Sequence, residues 1–178
     1  FAPFDLDPAE LGRALDDLGM VVEHVERVGE GLEAVVVARV LETRPHPDAD
    51  RVQLVDVDAG DGEALQVVCG AFNFGAGDLV PLAPIGARLP NGMEIARRKV
   101  RGQWSNGMLC ATDELGLGED HSGIMVLSVA AEPGTALTEA IGLQPDVVYD
   151  LDITANRPDA MSMAGVARDL AAKLGLPF

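Results

Sequence analysis

From Val35 onward the chain repeats one pattern: a short run rich in Val, Ile and Leu, then a cluster of Gly, Pro, Asn or Asp, then another short run. Runs this brief, bounded by residues that favour turns, fit strands joined by tight connections, as in a β-barrel or sandwich. Strands are expected near residues 34–43, 51–58, 64–69, 79–84, 97–101, 108–111 and 124–128. Asp61-Gly62 and Asn91-Gly92 carry hairpin-turn chemistry. Val55 and Val57 alternate with Asp56 and Asp58, as a strand with one wet face requires.

The two ends read differently. Asp7-Pro8-Ala9-Glu10 combines an N-cap acid, a proline at the first helical position and a glutamate three residues after the cap, so a helix starts here. Leu11, Ala14, Leu15 and Leu18 follow at helical spacing, and Gly19 stands where a left-handed residue ends a helix. A short helix is expected at 135–142, capped by Thr135 and ended by Gly142. Val147, Tyr149, Leu151 and Ile153 then alternate with Val148, Asp150 and Asp152, ahead of a helix from about Pro158 to Lys173 closed by Gly175 and Pro177. The expected class is α+β: a β-barrel over residues 37–146, inserted into a small α/β unit made of residues 1–36 and 147–178.

Hydrophobic residues make up 48% of the chain, yet its longest apolar runs fall far short of the ~20 residues of a membrane span. No membrane partner is expected. No basic segment followed by an apolar one opens the sequence, and Phe1 stands where an initiator Met would, which reads as a trimmed piece of a cytoplasmic protein. The two cysteines, Cys69 and Cys110, are too few for a disulfide framework and read as small buried residues in a reducing compartment. The net charge of −16 opposes nucleic-acid binding, because phosphate neutralisation needs Lys and Arg. The charge is uneven, however: acids crowd the first stretch, and Arg97, Arg98, Lys99 and Arg101 form a dense basic cluster.

Chemistry-bearing motifs are few. His46, Asp48 and Asp50 lie in the proline-bounded connection Arg44 to Arg51, but they lack metal-ligand spacing, and a solvent-facing loop is expected there. Asn73, after the glycine turn Val68-Cys69-Gly70-Ala71-Phe72, is suited either to pin its loop or to read a base edge. The segment Arg97 to Met108 gathers four cations, the sole Trp104 and the Ser105-Asn106 pair, a set suited to holding phosphates and stacking a base. A basic strand that merely guards a sheet edge would have the same composition. No nucleophile elbow, phosphate-cradling loop or paired-histidine motif occurs, so no catalytic or metal-binding residue and no cofactor is assigned to this chain.

Four pieces, His46-Pro47-Asp48-Ala49-Asp50-Arg51, Val68 to Asn73, Arg101 to Cys110 and Glu114-Leu115-Gly116-Leu117, occur in an order that resembles the tRNA-binding domain with an oligonucleotide-binding (OB) fold. The flanks, Glu10 to Val28 and Ile153-Thr154-Ala155-Asn156-Arg157-Pro158-Asp159 with Gly165-Val166-Ala167-Arg168, resemble the regions bracketing that barrel in the bacterial phenylalanine–tRNA ligase β subunit. The resemblance covers nearly the whole chain. It implies an OB-type barrel that binds tRNA; by residue type, Arg97, Arg98, Lys99 and Arg101 are the candidate phosphate contacts and Trp104, Ser105, Asn106 and Asn73 the candidate contacts to bases or sugars. It also implies an intact α₂β₂ enzyme that uses ATP and Mg²⁺, with its catalytic centre in the α subunit. Phe72, Phe74 and Trp104 depart from the family pattern. A spacer or protein-contact domain that touches no tRNA is the alternative, and a free-standing tRNA chaperone or dimerisation module is a third.

Overall fold

The computed structural model describes residues 5–178. Positions 1–4, at the start of the small unit drawn from the sequence, lie outside the described residues. The chain divides into two compact units, one formed by the described residues up to Arg27 together with Asp146–Phe178, the other by Val28–Pro145. Residues 28–36, drawn with the chain ends from the sequence, lie in the larger unit, where Leu32 and Val35 are buried in its core.

In the smaller unit, helix α1 (Pro8–Asp17) begins where the Asp7 carboxylate accepts from the backbone N–H groups of Ala9 and Glu10 at 2.8 and 3.0 Å. It ends in a Schellman arrangement, with Gly19 N–H donating to Asp16 O and Met20 N–H to Leu15 O, which requires the positive φ of Gly19. Strands β1 (Val21–Val28) and β9 (Asp146–Asp152) form a two-stranded sheet. Leu15, Met20 and Ala160 make a small core with Tyr149, Leu151 and Ile153 against it, and Tyr149 Oη donates to Pro8 O at 2.6 Å. The last helix, α3 (Met163–Leu174), starts later than expected, because Pro158–Ala160 forms a separate 3₁₀ turn and Ser162 is the cap. Asp159 O sits against Gly165 where a Cβ would stand, which fixes that break.

The larger unit contains β2 (Val36–His46), β3 (Ala49–Asp58), β4 (Ala64–Cys69), β5 (Leu79–Pro84), β6 (Arg98–Val100), β7 (Gln103–Ser105), β8 (Gly107–Leu109) and the short helix α2 (Leu137–Ala140). Five strands form an antiparallel sheet in the order β4-β3-β2-β5-β8. Successive residues of β2 and β5 enter two different cores: Val37, Leu79 and Ala83 face one, while Ala38, Val80 and Leu82 face the other. Continuous apolar runs in β2 and β5 therefore follow from cover on both faces, whereas in β3 burial alternates only over Val55–Asp58, where Asp56 and Asp58 are half-buried, because Gln53, Leu54 and Val55 are all buried. Each fully buried Val or Leu contributes about 1.5–3 kcal/mol.

Three expectations change. Residues 124–128 form no strand and supply only a bridge between Leu127 and Leu79. Helix α2 is capped at Ala136 without a side-chain bond; the Thr135 carbonyl instead accepts from Val37 N–H at 2.8 Å. No ladder among the described residues closes the sheet between β4 and β8. Between these edges, Asn106 N and Nδ2 both donate to Gln66 O, at 3.0 and 3.2 Å, and Gln66 Nε2 donates to Trp104 O at 2.9 Å. Ser105 Oγ accepts from Val68 N–H at 3.0 Å and donates to Gly107 O at 2.9 Å, so one backbone bond and several side-chain bonds span the gap in place of a ladder.

Candidate nucleic-acid interface

Strands β6 and β7 form a hairpin with Arg98 opposite Ser105, Lys99 opposite Trp104 and Val100 opposite Gln103. Its two-residue turn, Arg101-Gly102, has positive φ at both positions (42° and 91°), the requirement of a type I′ turn, whose twist matches that of the strands. Glycine takes that conformation freely; Arg101 adopts it at some cost and carries its guanidinium to the tip.

Because side chains alternate, the hairpin has two chemically distinct faces. Arg97, Lys99 and Trp104 share one: the Arg97 Cζ lies 4.5 Å and the Lys99 Nζ 5.6 Å from the centre of the Trp104 ring. Trp104 is 43% exposed, so the ring belongs to the surface and not to a core. Arg98, Val100 and Ser105 lie on the other face and line a cleft of about 130 Å³ with Val68, Met93 and Ile95. No acid occurs between Glu94 and Asp113. None of Arg97, Arg98, Lys99 and Arg101 forms an ion pair among the described residues, whereas Arg44, Arg157, Arg168 and Lys173 are paired with carboxylates. Arg97 and Lys99, without ion pairs among the described residues and set against an exposed indole, offer charge suited to phosphates and a ring suited to bases.

The remaining sequence-derived residues hold loops. Ser105 is buried and its hydroxyl is committed to Val68 and Gly107, and Asn106 is tied to Gln66. Asn73 Oδ1 accepts from Ile124 N–H at 2.9 Å and its Nδ2 donates to Ile124 O at 2.8 Å, so its amide pins residues 73 and 124 together. Arg97, Arg98, Lys99, Arg101 and Trp104 thus gather on one hairpin, while Ser105, Asn106 and Asn73 support the segments around it.

His46 was expected in a solvent-facing loop, yet its side chain is only 5% exposed. Its Nδ1 accepts from Asp48 N–H at 3.1 Å and its Nε2 faces Val100 O, also at 3.1 Å. An amide N–H only donates and a carbonyl only accepts, which fixes the neutral Nε2–H tautomer and occupies both nitrogens that would ligate a metal. The two flanking prolines, Pro45 and Pro47, were the available signal that this residue is held in place.

Neither cysteine is an activated nucleophile. Burial pushes the Cys110 thiol up to about 12, with the Glu114 charge adding to it, and burial also raises Cys69. Among the described residues no group of three His, Cys, Asp or Glu side chains is gathered for a metal ion, and no helix is long and apolar enough to cross a membrane.

A family model described as a putative tRNA binding domain matches residues 35–136. The phenylalanine–tRNA ligase β subunit of Anaeromyxobacter dehalogenans (strain 2CP-C) is 50% identical over 168 residues, covering 94% of this chain and 21% of that protein. Those of Syntrophotalea carbinolica and Geobacter sulfurreducens are 46% and 50% identical, each over 98% of this chain and 22% of theirs. The chain therefore spans about a fifth of the length of the curated relatives it matches. Among solved structures, the C-terminal domain of Plasmodium vivax p43 matches at 21% identity over 56% of each chain with a TM-score of 0.41, too weak a likeness to define the fold.

Proposed function

Because the chain belongs to the putative tRNA binding domain family, whose model matches residues 35–136, we propose that it is the non-catalytic, tRNA-binding part of a bacterial-type phenylalanine–tRNA ligase β subunit. Near 50% identity along almost the whole chain to proteins bearing that name supports the assignment. On this reading the intact cytoplasmic enzyme joins phenylalanine to its tRNA with ATP and Mg²⁺. Its catalytic centre belongs to an α subunit in an α₂β₂ assembly. The larger unit is read as an OB-type barrel inserted between the two halves of the smaller one. Its five-stranded antiparallel order and the Ser105 and Asn106 bonds beside β4 support that reading.

The observation that carries the tRNA-binding role is the placement of Arg97 and Lys99 around exposed Trp104, on a hairpin whose four cations have no ion pair among the described residues. Arg97, Arg98, Lys99 and Arg101 are the proposed phosphate contacts and Trp104 the base or sugar contact, with Ser105, Asn106 and Asn73 holding the loops that present them. Arg97→Glu and Lys99→Glu test this by fluorescence anisotropy with labelled tRNA. Each is expected to weaken binding at low salt and to reduce the slope of log K against log[salt] by about one, the signature of a lost phosphate contact. Unchanged affinity and slope would remove the hairpin from the interface.

The net charge of −16 favours a second reading, in which the larger unit is a spacer or protein-contact domain and the ligase binds tRNA elsewhere. That reading expects no salt-sensitive tRNA binding by this chain.

A further inference from the structure

A cleft of about 400 Å³ opens between the β2–β3 hairpin and the loop after β4, bordered by Thr43, Arg44, His46, Asp50, Gln53 and Phe72. Its size falls within the ~300–1,000 Å³ of small-molecule sites. An exposed apolar side chain by itself needs no explanation. Phe72, 60% exposed, differs in how firmly its loop is held. Gln53 Nε2 donates to Ala71 O at 2.6 Å on one side, and Asn73 is bonded twice to Ile124 on the other. Phe74 is anchored in the core two residues on. The ring is thus presented to the cleft on a pinned loop, with little ordering left for a ligand to impose.

We infer that this cleft takes one unpaired nucleobase of an RNA strand, stacked against the Phe72 ring, next to the strand's backbone on the basic hairpin. The inference rests on the tRNA-binding reading and adds a base-binding subsite to it. Two observations select a base over a phosphate. The Arg44 guanidinium, the cation in the wall, is already engaged by Asp56, and Asp50 puts an exposed carboxylate at the rim. An anion would meet a neutralised cation and a like charge, whereas a base meets an aromatic face and a hydrogen-bond acceptor. His46 joins the two parts of the surface: its ring borders the cleft and its Nε2–H holds Val100 O beside the Arg101 turn. A base must leave its helix to enter, so the subsite discriminates single-stranded from double-stranded RNA.

The test compares the wild-type chain with Phe72→Ala, Phe72→Trp and Arg97→Glu, by fluorescence anisotropy. The probes are a short fluorescein-labelled single-stranded RNA of mixed sequence and the blunt duplex of the same sequence. Phe72→Ala is expected to weaken single-strand binding roughly 5- to 150-fold, the worth of one base–aromatic stack, and to leave the salt slope and the duplex affinity unchanged. Phe72→Trp retains single-strand binding. Arg97→Glu weakens both probes and lowers the salt slope. If Phe72→Ala binds both probes as the wild type does while Arg97→Glu does not, the base subsite is overturned and tRNA binding through the hairpin stands; an apolar protein side chain then becomes the candidate occupant. Equal loss on both probes also overturns the subsite. Failure of the wild type to bind either probe at low salt overturns the hairpin reading together with the subsite.

Discussion

His46 and Val100, far apart in sequence, are joined by a hydrogen bond from the imidazole Nε2–H to the Val100 carbonyl at 3.1 Å. The same ring accepts from Asp48 N–H, so one buried side chain couples the β2–β3 turn to the basic hairpin. His46→Ala strands a carbonyl and an amide and leaves a void. It is expected to destabilise the larger unit by about 1–3 kcal/mol in urea unfolding and to speed amide exchange at Arg101 and Gly102. Exchange at the turn unaltered from wild type would show that the hairpin holds its place without His46.

The local field at Trp104 is expected to oppose the charge of the whole chain. The chain carries −16, but its only tryptophan has Arg97 and Lys99 against its ring. In Stern–Volmer experiments iodide should quench its fluorescence more effectively than caesium, and Arg97→Glu with Lys99→Glu should reverse that order. Stronger quenching by caesium in the wild type would mean that the surrounding acids dominate the hairpin.

Both thiols should be inert while the chain is folded. Burial holds the Cys110 thiol neutral, its titration moved up to about 12, and raises Cys69 in the same direction. A thiolate is the reacting species, so at neutral pH a disulfide reagent should modify neither cysteine until urea is added, then both. Rapid labelling without urea would contradict this burial.

In the smaller unit Arg157 bonds to Asp159 and Asp169, and Arg168 reaches Asp159 as well. The hydrogen bond from Arg157, then the charges of Arg157 and Arg168, hold the Asp159 carboxyl below the usual carboxylate range despite partial desolvation. A folded-state value lowered in this way gives stability that is complete above the unfolded value, about 3.9, and is lost as pH falls through the folded value. Protection of the α3 amides, measured relative to their intrinsic exchange rates, should therefore fall below about pH 4, and Asp159→Asn should flatten that dependence. A dependence that persists unchanged in Asp159→Asn would assign it to other carboxylates.

Local rules were legible where one residue type sets the geometry. Asp7 caps α1, Gly19 ends it, and the alternation of Val55 and Val57 with Asp56 and Asp58 gives β3. Strand β1 was not legible, since Val21 and Val25 remain exposed and its apolar residues do not alternate by burial. The 124–128 run is apolar because Ile124 and Leu127 fill two cores, a tertiary demand that looks like a strand in sequence. At the candidate site, the clustering of the cations and Trp104 was readable from their proximity in sequence. The commitment of Ser105 and Asn73 to distant backbone groups, and the burial of His46, depend on partners many residues away.

The central claim, that this chain presents a tRNA-binding surface on its basic hairpin, is tested most directly by titrating labelled tRNA with the wild-type chain at low and at near-physiological salt. Phosphate contacts must appear as affinity that falls steeply as salt rises. Binding at low salt that weakens in this way is the predicted result; no binding at low salt would contradict the claim and leave the larger unit as a spacer or protein-contact domain.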